Sequence, residues 1–210
     1  IKQGGAMFKK FNVFLILCLI LIGFSFNVSA ETMPTYNYVV KSGDSLWKIA
    51  QANETGISEL VMLNPQISDP ALIYTGSVLK IPDIREIKNI ENNVIKLVNA
   101  ERQKRGIAPL RSNWQLSRVA RYKSQDMRDK KYFSHTSPTF GSPFVMIRNF
   151  GISFTAAGEN IAMGQTTAEQ VMNSWMNSAG HRSNILNPDF SEIGVGYSNG
   201  YYWTQMFIKP

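Results

Sequence analysis

Two histidines and one glutamate are the side chains of this sequence best suited to chemistry. His135 and His181 are the only histidines among the 210 residues, and Glu159 lies between them in a Gly-Glu-Asn sequence. The unperturbed pKa of imidazole lies near neutral pH, and imidazole is also a common metal ligand. If the three side chains converge, they form a polar cleft that could bind a ligand or a metal ion such as zinc.

Three interpretations of this trio remain open. In the first, the cleft binds a ligand without catalysis, and in the second, two imidazoles and a carboxylate hold zinc with an open water position. In the third, the trio is structural: Glu159 accepts backbone N–H groups and His181 caps a turn. The sequence has no His-Glu-x-x-His helix and no Gly-x-Ser-x-Gly elbow, so it favours a non-enzymatic role.

The chain is basic, with a formal net charge of +7 and a pI of about 9.5. Residues 83–210 carry sixteen basic and ten acidic side chains, a net of +6. This excess suits an acidic wall polymer or a membrane surface, whereas the export signal described next argues against nucleic acid. We expect one basic series to be a solvated helix face. Its members are Arg118, Arg121, Lys123, Arg128, Lys130 and Lys131.

The first thirty residues have the pattern of an export signal. Residues 1–6 are interpreted as a leader or an extension of the gene model, and residues 7–30 as a signal peptide with a cationic start, an apolar run and small residues at its end. The only cysteine, Cys18, lies in the apolar run, so cleavage would leave a mature chain without cysteine. An exported protein without disulfides points to bacterial secretion. We expect it to contact the membrane only transiently, during export.

Residues 38–82 have the pattern of a small strand–helix–helix–strand unit. The first three residues favour a strand, and Asp44 is a natural N-cap for the helix that follows. Ser58 can cap a second helix, which Asn64-Pro65 would end. Val78–Pro82 then reads as the closing strand.

This segment resembles a LysM domain. The resemblance is carried by residues 38–50, Leu63-Asn64-Pro65 and residues 72–82. It implies binding of N-acetylglucosamine glycans, such as peptidoglycan or chitin, between two loops. These loops consist of Gly43, Asp44 and Ser45, and of Asn64, Pro65, Gln66 and Ile67. We expect Asp44 to serve mainly as a helix cap and Trp47 to lie in the core.

After a charged connector at residues 83–89, the pattern predicts helices followed by a hairpin. Asn113, the pair Ser142-Pro143, and Thr167 are the predicted helix starts. Asn199-Gly200 is a strong hairpin turn between alternating apolar segments. Helices followed by an antiparallel hairpin indicate an α+β layered fold.

Residues 90–210 resemble the CAP superfamily of cysteine-rich secretory, antigen 5 and pathogenesis-related proteins, in its bacterial form. The motifs that carry the resemblance are Asn99-Ala100-Glu101-Arg102, Phe133-Ser134-His135, residues 158–162, Trp175, residues 180–186, residues 193–197 and residues 204–207. The resemblance implies an α-β-α sandwich around a central antiparallel sheet. The chain as a whole is therefore predicted to be α+β, a small βααβ LysM domain followed by this sandwich.

The resemblance also bears on the cleft. Eukaryotic members carry two histidines and two acids there, sometimes with a divalent metal, and His135 and Glu159 match one of each. The other two positions align near Ser178 and Tyr202, which departs from the family pattern and weakens the case for a metal. His181 belongs to a bacterial motif and could substitute. The predicted cleft residues are His135, Glu159, His181, Asn184, Tyr202 and Gln205.

These features together predict a secreted protein of the cell wall or spore envelope of a Gram-positive bacterium. Its LysM domain would bind peptidoglycan or a chitin-like glycan, and its CAP domain would present a ligand cleft or scaffold to other wall or spore-coat components. Two alternatives stay open: a metal-dependent wall-remodelling hydrolase, and lipid or sterol binding by the CAP domain.

Overall fold

The structure, a computed structural model, describes residues 34–210. The predicted leader, signal peptide and Cys18 lie outside these residues. Within the described part, no helix has the length and apolar character needed to cross a membrane. Residues 34–210 belong to one compact unit.

The first four elements form the predicted βααβ unit. They are β1 (Thr35–Val39), α1 (Leu46–Ala52), α2 (Ile57–Leu63) and β2 (Val78–Pro82). Strand β1 runs antiparallel to β2, with Val39 opposite Val78. The two helices and β2 enclose a small core of Val40, Leu46, Ile49, Ala50, Leu60, Leu79 and Ile81.

Helix α1 is capped one residue later than predicted. The Ser45 Oγ accepts a hydrogen bond from the Lys48 amide at 3.2 Å, which makes Ser45 the N-cap. Asp44 instead closes the preceding turn, because its carboxylate accepts the Lys41 amide and the Tyr38 hydroxyl, both at 2.8 Å. Its role is to shape the loop between β1 and α1.

Two other expectations for this unit are wrong. Ser58 lies inside the first turn of α2, and Gly56 occupies the N-cap position. Trp47 is 49% exposed and is not a core residue, because the inward face of α1 is already filled by Leu46, Ile49 and Ala50.

Helix α3 (Arg85–Gln103) begins inside the predicted connector. Ile87 and Ile90 pack against the same core as Val94 and Val98, so the apolar helical face starts one turn earlier than expected. Only residues 83–84 therefore separate the LysM strand β2 from the first helix of the larger layer structure.

The remaining elements build a four-stranded sheet and its covering helices. They are β3 (Arg111–Ser112), α4 (Trp114–Asp129), α5 (Pro143–Asn149), β4 (Ala156–Met163), α6 (Ala168–Asn177), α7 (Ala179–Leu186), β5 (Glu192–Ser198) and β6 (Tyr202–Lys209). The strand order is β3-β5-β6-β4. All pairs are antiparallel except β3 with β5, a short parallel pair that the sequence did not predict.

The sheet is the middle layer of a sandwich, as predicted. One face packs against α3, α6 and α7 through a large core that includes Val98, Trp175 and Ile185. The other face packs against α4 and α5 through a second core that includes Val119 and Met146. Asn113, Ser142 and Thr167 are the N-caps of α4, α5 and α6, as the sequence predicted.

Helix α4 lies unusually close to β5. A Cβ atom at Gly194 or Gly196 would overlap the backbone of α4 near Leu116 or Ala120. The glycines therefore permit direct backbone contact, while the alternate residues of β5 point into the opposite core. This close contact fixes the distance between α4 and β5.

Candidate functional site

The candidate cleft lies at β4, the edge strand of the sheet. Glu159 and Asn160 are consecutive in β4, so their side chains point to opposite faces of the sheet. Glu159 lies opposite Met206, which belongs to the core under α4 and α5, whereas Asn160 lies opposite Gln205. Two separate clusters of polar side chains therefore form, one on each face of the sheet at β4.

On the α4 side, His135 and Glu159 form a hydrogen-bonded pair. The His135 Nδ1 lies 2.7 Å from the Glu159 Oε1, with the His135 side chain 55% exposed and the Glu159 side chain 2% exposed. The hydrogen bond to Glu159 raises the pKa of His135, although partial burial opposes the shift. Among the described residues, the second carboxylate oxygen, Glu159 Oε2, is buried without a hydrogen-bond partner.

A buried lysine positions the loop that carries His135. The Lys123 Nζ donates to the carbonyl oxygens of Ser134 at 2.7 Å and His135 at 2.8 Å. Burial lowers the pKa of Lys123, while the charges of Glu159 and Asp126 oppose that shift. Lys123 thus holds two successive peptide groups of the loop, Ser134–His135 and His135–Thr136.

Asp126, one turn further along α4, anchors the rest of this loop. Its carboxylate accepts hydrogen bonds from Tyr132 at 2.6 Å, Ser137 at 2.6 Å and Thr139 at 2.5 Å. The imidazole of His135 is therefore presented by a loop held at several points to the helix beneath it.

The expectation that the basic residues of α4 form a solvated face is wrong for Arg121 and Lys123, which are buried. The sequence held a signal for Lys123. It lies four residues after Val119 and four before Met127, both of which are buried, on the apolar face of the helix. A lysine at such a position requires buried partners, which the loop carbonyls supply.

On the other side of β4, three amide side chains form a connected group. The Asn160 Nδ2 donates to the Gln205 Oε1 and to the His181 carbonyl oxygen, both at 3.1 Å. The Asn184 Nδ2 donates to the Asn160 Oδ1 at 2.9 Å and to the Glu159 carbonyl oxygen at 3.2 Å. Within residues 34–210, the buried Gln205 Nε2 has no partner. Asn160, part of the Gly-Glu-Asn motif, was missed as a site residue.

His181 enters this group through its backbone. It lies inside α7 and is not a cap of the preceding turn. Burial lowers the pKa of its imidazole, and the nearby positive charge of His135 adds to the effect. The two imidazoles are therefore electrostatically coupled, with His135 favouring the protonated form and His181 the neutral form.

Tyr202 does not belong to the cleft. It lies at the hairpin end of β6, opposite Met163 and Ser198. Gln205 is three residues away, a separation of about 10 Å along a strand. The resemblance placed Tyr202 in the cleft, but in the structure Tyr202 lies at the far end of β6.

The donor set does not fit the predicted zinc site. Among residues 34–210, no group of three or more His, Cys, Asp or Glu side chains is arranged to hold a metal ion. The His135 Nδ1 and the Glu159 Oε1 are hydrogen-bonded to each other, so in this arrangement these two atoms do not ligate one ion together. His135, Glu159 and His181 therefore do not form the predicted three-ligand zinc site.

A depression between α3 and α6 does not provide the apolar groove that the sterol hypothesis requires. This cavity of about 570 Å³ is lined by apolar Leu97, Met172 and Met176, but also by the charged Glu101 and Arg105 and by further polar side chains. Sterol binding needs a more continuous apolar wall.

In the LysM unit, the two predicted glycan loops contain both exposed residues and a buried one. Gly43, Ser45, Pro65 and Gln66 are exposed. Asn64 is fully buried: its Nδ2 donates to the Leu60 and Lys80 carbonyl oxygens, and its Oδ1 accepts the Lys80 amide. The Asn64 side chain therefore joins the loop to β2, which leaves the Asn64 backbone as its available contact to a glycan.

Comparisons with known proteins agree with this architecture. The model of the LysM domain matches residues 38–82, and the model of the cysteine-rich secretory protein family (CAP) matches residues 95–208. The uncharacterized protein YkwD of Bacillus subtilis (strain 168) is 61% identical over 119 residues, which cover 56% of this chain and 46% of that protein. An endolysin of Bacillus phage PZA is 43% identical over 58 residues, covering 26% of this chain and 22% of the endolysin.

A solved structure supports the same assignment. The crystal structure of an extracellular protein containing a SCP domain from Bacillus anthracis str. Ames has a TM-score of 0.57 and 32% identity, covering 65% of this chain and 53% of that chain. The chain spans about half the length, or less, of each of these three proteins.

The LysM domain points to peptidoglycan binding, and the two domains together indicate a cell-wall or extracellular location. The CAP match covers more than half of the chain, and its sandwich contains both polar groups at β4. The chain therefore belongs to the cysteine-rich secretory protein (CAP) family and carries a LysM domain ahead of its CAP domain.

Proposed function

We propose that this protein is a non-catalytic component of the bacterial wall or spore envelope. Its LysM domain holds it on the N-acetylglucosamine glycan of peptidoglycan, and its CAP domain offers the His135–Glu159 cleft to a small polar ligand. The proposal is supported by the domain pair and by matches to Bacillus and Bacillus-phage proteins.

The glycan contact is assigned to the exposed loop residues Gly43, Ser45, Pro65 and Gln66, with Ile67 half-buried beside them. Asp44 and Asn64 support the two loops through their hydrogen bonds to backbone groups. Because the Asp44 and Asn64 side chains are used to hold the loops, the main polar contacts to a sugar come from backbone N–H and C=O groups of these loops.

The observation that carries the proposed ligand site in the CAP domain is the buried Glu159 Oε2, which has no hydrogen-bond partner among residues 34–210. Buried carboxylate oxygens are normally hydrogen-bonded. A ligand hydroxyl or amide N–H entering beside the exposed His135 would satisfy this oxygen, while the imidazole offers a donor to an acceptor on the same ligand. A sugar or peptide fragment of the wall has both kinds of group.

The first experiment is sedimentation of the chain from residue 31 with purified peptidoglycan, followed by mass spectrometry of the supernatant. We expect the protein in the pellet and no released fragments. Fragments that disappear in His135→Ala would instead identify a hydrolase, and protein that stays in the supernatant would contradict wall binding.

A matched pair of glycine variants tests the LysM assignment. Gly43 and Gly106 both have positive φ, +83° and +68°, and both have open space at the Cβ position. Valine at either position strains the backbone by roughly 1–2 kcal/mol. We expect Gly43→Val to lose most peptidoglycan binding and Gly106→Val to retain it at a similar melting temperature. Equal binding by the two variants would contradict the loop assignment.

A further inference from the structure

Helix α4 of the CAP domain also packs against the LysM domain, and we call this row of interdomain contacts the seam. Trp114, Arg118 and Arg121 recur at i, i+4 and i+7, so they lie along one face of the helix. Each contacts a LysM residue: Trp47, Glu59 and Glu54, respectively. At Arg118 and Arg121, the face that was expected to be solvated is thus an interdomain contact.

Ion pairs hold the seam. The Arg118 guanidinium donates to both oxygens of Glu59, from Nε at 2.6 Å and from Nη2 at 2.8 Å. The charge and hydrogen bonds of Arg118 hold the pKa of Glu59 below its usual value, although burial opposes this. Such a two-point contact fixes orientation as well as distance.

A second cluster fixes the other end of the seam. Arg121 donates to Glu91 at 2.9 Å and, across the domain boundary, to the Glu54 carbonyl at 3.0 Å and the Glu54 carboxylate at 3.1 Å. Lys88 binds the same Glu54 carboxylate at 2.9 Å. Burial raises the pKa of Glu91 to about 7, and the charge of Arg121 opposes that shift.

Two tryptophans lie at the end of this seam. The rings of Trp47 and Trp114 have centroids 6.2 Å apart and planes inclined at 56°. Trp47 is 49% exposed and Trp114 is partly exposed. Trp47 lies two residues after Ser45, in the first turn of α1. The aromatic pair is therefore adjacent in sequence to the loop between β1 and α1 that is assigned to glycan contact.

We propose that Trp47 and Trp114 form a second saccharide subsite, which extends the LysM glycan contact onto the CAP domain. This inference rests on the proposed glycan binding by the LysM domain. The ligand is a further sugar ring of the same N-acetylglucosamine strand, bound by stacking against an indole face.

The chemistry of the pair fits a sugar. A pyranose ring has a face of C–H groups and a rim of hydroxyl and amide groups, so it needs an aromatic surface with polar neighbours. Exposed Lys48 and Gln115 flank the two tryptophans in sequence. Exposed apolar surface rimmed by polar groups is typical of binding sites. The ion pairs of Arg118 and Arg121 keep the two rings in a fixed relation, so little order has to be gained on binding.

Chitin oligosaccharides of two lengths test the proposal by calorimetry. A trimer would fill the LysM loops, whereas a hexamer would also reach the tryptophans. We expect the hexamer to bind the unmodified protein about tenfold more tightly, and Trp114→Ala to remove that gain while leaving the trimer affinity unchanged. Trp114→Leu separates stacking from packing, since leucine retains an apolar contact with Trp47 but has no aromatic face. Phe144→Ala, a change at a 43% exposed aromatic residue of the CAP domain, is the control.

Fluorescence provides a second readout. Two of the four tryptophans, Trp175 and Trp203, are buried, so soluble quenchers act on Trp47 and Trp114. We expect the hexamer to protect these indoles from quenching and the trimer to protect them less.

The outcomes distinguish this inference from the proposed function. Equal affinity of the unmodified protein for both lengths, or an undiminished hexamer gain in both Trp114 variants, would overturn the subsite while LysM binding stands. A variant that lowers only the melting temperature would assign the pair to packing and likewise overturn the subsite. Failure to bind either oligosaccharide would overturn both proposals.

Discussion

Two clusters of buried charged side chains pack against α4, one at the seam and one at the cleft. They differ in how completely their carboxylates are hydrogen-bonded. At the seam with the LysM domain, Glu59 and Glu91 each have both carboxylate oxygens bonded to an arginine. At the cleft, Glu159 has one oxygen bonded to His135 and the other without a partner among residues 34–210.

Exposure differs in the same direction. Arg121 and Glu91 have side chains only 8% and 3% exposed, whereas the cleft pairs the buried Glu159 with an imidazole that is 55% exposed. A fully bonded and enclosed network serves structure, because it has no atoms left for a ligand. A partly bonded network open at one side is suited to binding.

Breaking the seam should have the largest effect. Arg121→Met leaves the buried Glu91 and the Glu54 carbonyl without their cation, so the free energy of unfolding should fall by about 3–5 kcal/mol. Denaturant unfolding measures the loss. Arg128→Met removes an exposed pair with Asp129 and should cost no more than about 0.5 kcal/mol. Similar losses in the two variants would refute the contrast between buried and exposed pairs.

Removing Lys123 should have an intermediate effect. Lys123→Met leaves the carbonyl oxygens of Ser134 and His135 without their donor, at a cost of roughly 1–3 kcal/mol, and should release the His135 loop. Amide hydrogen exchange across residues 132–139 should become faster. Lys130→Met, at an exposed position just after α4, is the control and should leave exchange unchanged. Unchanged exchange in Lys123→Met would show that Asp126 alone holds the loop.

Changing the cleft carboxylate should have the smallest effect on stability but a clear one on titration. The folded-state pKa of His135 is raised, so its pairing stabilises the fold below its unfolded pKa and this contribution is lost as pH rises through the folded pKa. Glu159→Gln should lower the pKa of His135 toward its ordinary value. With only two histidines, NMR can follow both imidazoles in one titration. The pKa of His181 should rise as His135 loses charge near neutral pH. If the pKa of His135 stays unchanged, the pairing with Glu159 is not the cause of the shift.

Local patterns predicted most of the elements. Short-range rules found the caps at Asn113, Ser142 and Thr167, because a cap depends on a side chain and an amide only three residues apart. The same rules misplaced the caps of α1 and α2. There several polar residues compete within one turn, and packing with Tyr38 decided the role of Asp44.

The site was predicted in part. The motifs indicated His135, Glu159, His181, Asn184 and Gln205, and the structure gathers these around β4 while leaving Tyr202 at the far hairpin. Asn160 and Lys123 were missed. Asn160 bonds Gln205 and the His181 carbonyl, which lie far from it in the sequence. The partners of Lys123 are the carbonyls of a nearby loop that folds back over α4, and this folding is not visible in the sequence.

By itself, the sequence determined the domain pair, the α+β class and the residue types available to each site, because these depend on periodicity and on motifs of neighbouring residues. Only the tertiary structure decided which charges are buried, which carboxylate oxygen is left without a partner and how the LysM domain meets α4. Those properties arise where segments distant in sequence pack together: Glu59 and Arg118, for example, lie 59 residues apart and meet as a bidentate pair.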